Sequence, residues 1–332
     1  MSVEQILSDW KKKQFKPIYW LEGEEEYFID KIIQKAEHDI LTDAEKEFNL
    51  TIFYGKDANW PDVINACRRY PMFAERQVVL IKEAQQMKDI EKLEAYVESP
   101  LSSTILVVGY KEKKLDARKK FSKVIKEKGE VFTTKKLYER EVISWTENIV
   151  KSKGLKITPK GLALLVEHVG NDLARIENEL EKLSVNLSDK KEINEADIEK
   201  FIGVSKEFNV FELQAAIANK NISKAMAIIQ YFEANPKAAP IQVILPSLYG
   251  FFSKVFMVFG VGSSDEKTIA AAIGVNPFFA KDYLIAANKF GYNGVENVLL
   301  MLHQYNLKSI GVGAVSTEDS SLLKELIMKM VL

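Results

Sequence analysis

Residues 18–31 read IYWLEGEEEYFIDK. A short β-branched and aromatic run, a glycine turn and a helical pattern follow one another, the order found where α/β domains hold nucleotide phosphates. Such a turn needs backbone N–H groups around the phosphates, a lysine for the β/γ oxygens and a Ser/Thr for magnesium. Here Glu22, Glu24, Glu25 and Glu26 surround Gly23, and no Gly-Lys-Ser/Thr follows. Carboxylates complement the partial positive charge of a helix N-terminus, and the same charge repels a triphosphate. Lys31 lies about two turns too far along to replace the missing lysine. The strand Val78–Ile81 runs into Lys82-Glu83 rather than the paired acids that hold magnesium. The stretch predicts nucleotide-binding architecture without its chemistry: no catalytic residue, no cofactor, no metal.

Working outward, four more runs read as strands: Asn49–Tyr54, Gln77–Lys82, Thr104–Tyr110 and Glu130–Thr133. They are mostly apolar, as a sheet covered on both faces requires. Helical patterns lie between them at Tyr27–Ile40, Pro61–Tyr70, Ile90–Val97 and Ala117–Lys126. The alternation predicts a mainly parallel, doubly wound sheet. After about residue 137 strand signals stop. Leu162, Val166, Val169, Leu173, Ile176, Leu180 and Leu183 form one apolar helical stripe, and Gly170-Asn171 predicts a tight turn within it. Asn194 opens a further helix ending near Gly203. Beyond Phe208 the pattern is helical, with Ser223 read as a cap and helices at 266–273, 277–289, 293–305 and 319–331. The expected domains are an α/β domain at 1–137, a small helical domain at 138–206 and a larger helical domain at 207–332.

Net charge is −1, with 47% apolar and 28% charged residues, so the chain as a whole is not an electrostatic nucleic-acid binder. One cysteine, Cys67, excludes an internal disulfide, and three scattered histidines argue against a metal site. The apolar run 241–259 is broken by Pro246, Gly250 and Lys254, and reads as a buried helix pair rather than a membrane span. The opening MSVEQILSDWKKK lacks the order of a signal peptide. A cytoplasmic protein with no membrane partner is expected. Glu177, Glu179 and Glu181 read as a solvated helix face, and no nucleophile elbow is present.

Two segments ask for a surface role. Residues 111–128, KEKKLDARKKFSKVIKEK, carry nine Lys/Arg against three acids. They read either as a solvated helix face or as a phosphate-backbone contact through Lys113, Lys114, Arg118, Lys119 and Lys120. Residues 68–81, RRYPMFAERQVVLI, place Met72 and Phe73 directly after a proline. Two large apolar side chains in a turn are either tucked core or a docking wedge.

The opening IYWLEGEEEYFIDK, then PMFAERQVVLI, GNDLARIENELEKL and FNVFELQAAIANKNISKAMAII, occur in an order that resembles the delta subunit of the bacterial DNA polymerase III clamp loader. The resemblance implies a degenerate AAA+ module, made of a RecA-like sheet domain and a helical lid-like domain, followed by a helical collar for oligomerisation. It implies no intrinsic ATPase activity, within a DNA-directed DNA polymerase complex. The implied partners are the sliding clamp (beta subunit), the ATPase and delta-prime subunits, and primed DNA through the complex. It favours the wedge reading: Met72 and Phe73 contact the clamp and open the ring, with Tyr70 and Arg69 at the rim. Met72 stands where a leucine is common in the family. Cys67-Arg68-Arg69 replaces the Ser-Arg-Cys of its ATPase subunits, so no trans-acting arginine is implied. The alternatives are an ATP-hydrolysing AAA+ subunit and a helical adaptor unrelated to replication, which would bury Met72 and Phe73.

Overall fold

The computed structural model describes residues 2–187, 190–205, 208–235, 239–312 and 318–331. The chain divides into two compact units, Met1–Tyr138 and Glu139–Leu332.

The first unit runs α1 (Val3–Lys11), β1 (Ile18–Gly23), α2 (Glu26–Asp39), α3 (Asp43–Asn49), β2 (Leu50–Tyr54), α4 (Trp60–Cys67), β3 (Gln77–Lys82), α5 (Glu94–Val97), β4 (Thr104–Lys111), α6 (Lys120–Lys128) and β5 (Glu130–Thr134). All five strands are parallel, in the order β2-β3-β4-β1-β5. Alternate residues feed two separate cores. Ile18, Trp20, Val79, Ile81, Leu106 and Val108 face α4 and α6. Tyr19, Leu21, Val78, Leu80, Ile105 and Val107 face α1 and α2. The doubly wound parallel sheet expected from the apolar strands is present.

Local differences have local causes. Asn49 does not begin a strand: it closes α3, a helix started by a Thr42–Glu45 capping box that the sequence reading missed. Helix α4 opens on Asn59 and Pro61 as expected but stops at Cys67, so Arg69 and Tyr70 lie beyond it. The segment from Ile90 is a turn of 3-10 helix (Ile90–Leu93) leading into the short α5.

The second unit contains α7 (Glu139–Ser152), β6 (Lys156–Ile157), α8 (Pro159–Val169), α9 (Leu173–Asn186), β7 (Glu192–Ile193) and α10 (Glu195–Ile202). The expected apolar stripe is buried at all seven positions, and Gly170 with φ +77° breaks it. Strand signals do not stop entirely, because β6 and β7 pair over two residues. Then follow α11 (Val210–Ala218), α12 (Ile222–Ala234), α13 (Ile241–Val261), α14 (Glu266–Ile273), α15 (Pro277–Ser309) and α16 (Asp319–Val331), around one core. Asn221, not Ser223, caps α12, its side chain accepting from the Lys224 N–H at 3.0 Å. The run 241–259 is one helix rather than a pair, and its length and composition alone would admit a membrane span. Its Ile244, Leu248, Phe252 and Val255 are buried in the core, whereas Val243, Tyr249 and Met257 are exposed. Helix α15 is broken at Gly291 (φ +65°), which separates the two helices read there.

Glu212 on α11 ties this unit together, binding Lys160 of α8 at 2.5 Å and also Lys224 of α12. Burial pushes its carboxyl up, but hydrogen bonds from the two lysines outweigh it and hold the pKa below the ordinary value. A depressed carboxylate stabilises above its unfolded pKa and loses that contribution as pH falls through the folded one. Glu212→Gln is therefore expected to destabilise the chain by about 1–2 kcal/mol at pH 7. The gap should close on acidification below the carboxylate range, as read by urea unfolding at several pH values.

Candidate docking loop and the closed sheet edge

In open α/β sheets ligands sit at the carboxyl ends of the strands, where the winding direction reverses. Here that place is the end of β1, and the chain's own side chains fill it. Gly23 (φ +125°) lies between Lys111 of β4 and Thr134 of β5. A β-carbon on Gly23 would lie 2.2 Å from the Thr134 carbonyl oxygen, so only glycine fits. The Glu25 N–H donates to Thr134 Oγ1 at 3.1 Å, drawing the start of α2 against β5. Glu22 is buried and accepts from the Trp20 indole N–H at 3.1 Å and the Leu115 N–H at 2.9 Å. Lys111, also buried, reaches Asp30 at 2.8 Å and Glu83 at 2.5 Å, with Glu26 at 3.6 Å. Its ammonium lies among these three carboxylates, a charge arrangement that repels a phosphate.

Residues 68–76 lie at the opposite end of the sheet, between α4 and the start of β3. The carbonyls at the end of α4 have no partners within the helix. Thr104 Oγ1 donates to the Cys67 carbonyl at 2.8 Å, and Gln77 Nε2 lies 3.1 Å from the Ala66 and 2.5 Å from the Arg69 carbonyl oxygens. Asn49 then takes hold of Met72: its Oδ1 accepts the Met72 N–H at 2.7 Å, and its Nδ2 donates to the Met72 carbonyl at 2.8 Å. Arg76 stacks its guanidinium 5.0 Å from the Phe15 ring centre. Between these anchors Tyr70, Met72 and Phe73 stand out, 78%, 52% and 95% exposed. Phe73 has φ +54°, a left-handed conformation costing an ordinary residue roughly 1–2 kcal/mol. Arg69 is exposed with its guanidinium on Thr51 Oγ1 at 3.1 Å. All four expected docking residues therefore share one loop surface. The adaptor reading required buried Met72 and Phe73, and the exposure goes against it.

The basic run is divided. Arg118 pairs with Asp116, Lys119 with Glu91, and Lys120 with Glu94 and Glu98. Lys113 and Lys114 are exposed and form no ion pair among the described residues. The acids at 91, 94 and 98 come from outside the run, so counting charges within it overstates the local excess.

Comparison with known proteins places this geometry. A family model described as DNA polymerase III, delta subunit, matches residues 19–135, from the second residue of β1 to the end of β5. Over nearly the whole of its sheet, the first unit is similar to the DNA polymerase III delta-subunit family. A second model, described as a middle domain, matches residues 138–200. The DNA polymerase III subunit delta of Bacillus subtilis (strain 168) is 26% identical over 99% of this chain and 97% of its own length. The solved Bacillus subtilis DNA clamp loader delta protein shares the fold, at a TM-score of 0.54 and 24% identity, covering 99% of each chain.

The delta-family segment thus contains both the filled sheet edge and the exposed loop. Sequence reasoning named the loop's apolar residues but missed Asn49, Gln77 and Lys111, which hold the two places together. Each is a polar residue in or next to the end of an apolar strand, and that was the available signal. Burial pulls the Lys111 pKa down, but Asp30 and Glu83 outweigh it and hold it above the ordinary value. For Glu83 burial pushes up, and the hydrogen bonds of Lys111 and Gln85 outweigh it and hold it below. A raised lysine stabilises below its unfolded pKa and a lowered carboxylate above its own, so both act fully from about pH 5 to 10. Lys111→Met should cost about 2 kcal/mol at pH 7, less than a fully buried pair because the carboxylates are partly solvated. The deficit should shrink in acid, where the orphaned carboxylates protonate, as measured by denaturant unfolding at pH 7 and pH 4.

Proposed function

We propose that this chain is the clamp-opening subunit of a DNA polymerase III clamp loader, inserting Met72 and Phe73 into a pocket on the sliding clamp. The observation that carries the reading is Phe73, almost fully exposed on an anchored loop within the delta-family segment. Burying both side chains in a partner is worth roughly 3–6 kcal/mol gross, and a few such anchors commonly dominate an interface. Tyr70 and Arg69 form the rim. In this reading the chain acts without nucleotide chemistry of its own, which the acids around Gly23 and the missing Gly-Lys-Ser/Thr support. Energy for gating comes from neighbouring ATPase subunits, and the helices from α11 onward serve as the collar in a three-part division at about 137 and 206. Lys113 and Lys114 are the residues best placed to meet the DNA backbone once the complex is on a primer. The replisome places the protein in the cytoplasm.

Surface plasmon resonance against the sliding clamp of the same organism tests the reading. Wild type should bind, and Met72→Ala/Phe73→Ala should lose at least about 100-fold in affinity while keeping its unfolding midpoint. Absence of wild-type binding overturns the partner; binding unaffected by the substitutions overturns the site. Adding ATP with magnesium should leave the unfolding midpoint unchanged, whereas a ligand-dependent rise would favour an ATPase subunit.

A further inference from the structure

We infer that Asn49 is a positioning residue for the docking loop, holding the wedge in its binding-ready shape before the partner arrives. The inference rests on the docking role proposed for Met72 and Phe73. Asn49 is 2% exposed although its side chain is a primary amide. Both N–H donors of that amide are used, and its oxygen accepts one bond. Oδ1 accepts the Met72 N–H, and the two hydrogens of Nδ2 go to the Met72 carbonyl and, at 3.0 Å, to the Glu45 carbonyl of α3. The pair of bonds to one residue imitates a rung of a β-ladder. Asn49 stands immediately before β2, the outermost strand of the sheet, so a side chain continues a pairing that no backbone continues. The rung fixes the residue directly before Phe73, whose left-handed backbone is one that an unanchored chain rarely adopts. On the other side, Gln77 fixes the Arg69 carbonyl, and Pro71 restricts the residue before it. The exposed side chains therefore sit on a backbone that is itself held from beneath.

An exposed apolar loop without such an anchor would populate many conformers. Its apparent affinity would fall by the fraction competent to bind. Asn49 touches no partner in this scheme and acts through Met72.

The test compares full-length Asn49→Ala with wild type, Met72→Ala/Phe73→Ala and a control on α6, Ile125→Val, which makes no hydrogen bond to the loop through its side chain. Clamp affinity, unfolding midpoint and hydrogen exchange at the Met72 amide are read for each. Asn49→Ala should weaken clamp binding by about tenfold or more and speed Met72 exchange, while Ile125→Val lowers the midpoint and leaves both unchanged. Asn49→Asp sets a buried carboxylate oxygen against the Met72 and Glu45 carbonyls and should bind no better than alanine; Asn49→Ser, small and polar, serves if the alanine variant folds poorly. Suppose wild type binds, the wedge variant does not, and Asn49→Ala binds like wild type: the inference is then wrong and the docking role stands. Equal weakening by Ile125→Val would reduce the effect to global stability and also overturn it. If wild type itself does not bind the clamp, the docking role fails and the inference falls with it.

Discussion

Gly23 can turn where it does only because it carries no side chain. The carbonyl of Thr134 stands where a β-carbon would be, so the end of β5 presses on the end of β1. The Glu25 N–H, donating to Thr134 Oγ1, draws the start of α2 against the same end of the sheet. A helix N-terminus at the end of a strand ordinarily attracts anions. In this chain the same field is satisfied from within: acidic residues lie at the helix start, and Lys111 is drawn down among them. The ion pairs of Lys111 with Asp30 and Glu83 join β4 to α2 and to the residue after β3, closing this end of the sheet with the chain's own groups.

Much of the fold was legible because apolar strands and a 3.6-residue stripe are local signals. The five strands, the break at Gly170 and the separation near Gly291 follow from them. What sequence reasoning could not supply were partners distant along the chain. Asn49 reads as the first residue of a strand until Met72, 23 residues on, is seen to need its amide. Lys111 reads as one more lysine in a basic run until its three carboxylates arrive from α2 and from the residue after β3. Lys119 and Lys120 looked like excess charge for the same reason. The short strands β6 and β7 were missed because two residues carry no periodicity.

The loop at residues 68–76 shows how exposure and rigidity are reconciled. Leaving Phe73 in water forgoes roughly 1.5–3 kcal/mol of burial, and its backbone conformation adds further cost. Such a loop would collapse onto the domain if its backbone were free. Hydrogen bonds to buried amides prevent this, because moving the loop inward would strand the donors and acceptors of Asn49 and Gln77. Polar groups in the interior thus keep apolar groups on the outside, the reverse of their usual roles.

Cys67 closes α4 just before this loop and is fully buried, with burial pushing its thiol up to about 12. A thiol so rarely ionised is a poor nucleophile. The chain's only cysteine is therefore silent toward alkylating reagents and mild oxidants while the protein is folded. A cysteine introduced elsewhere on the surface would be the sole reactive sulfur, so a fluorophore can be attached beside the loop without first altering the native residue.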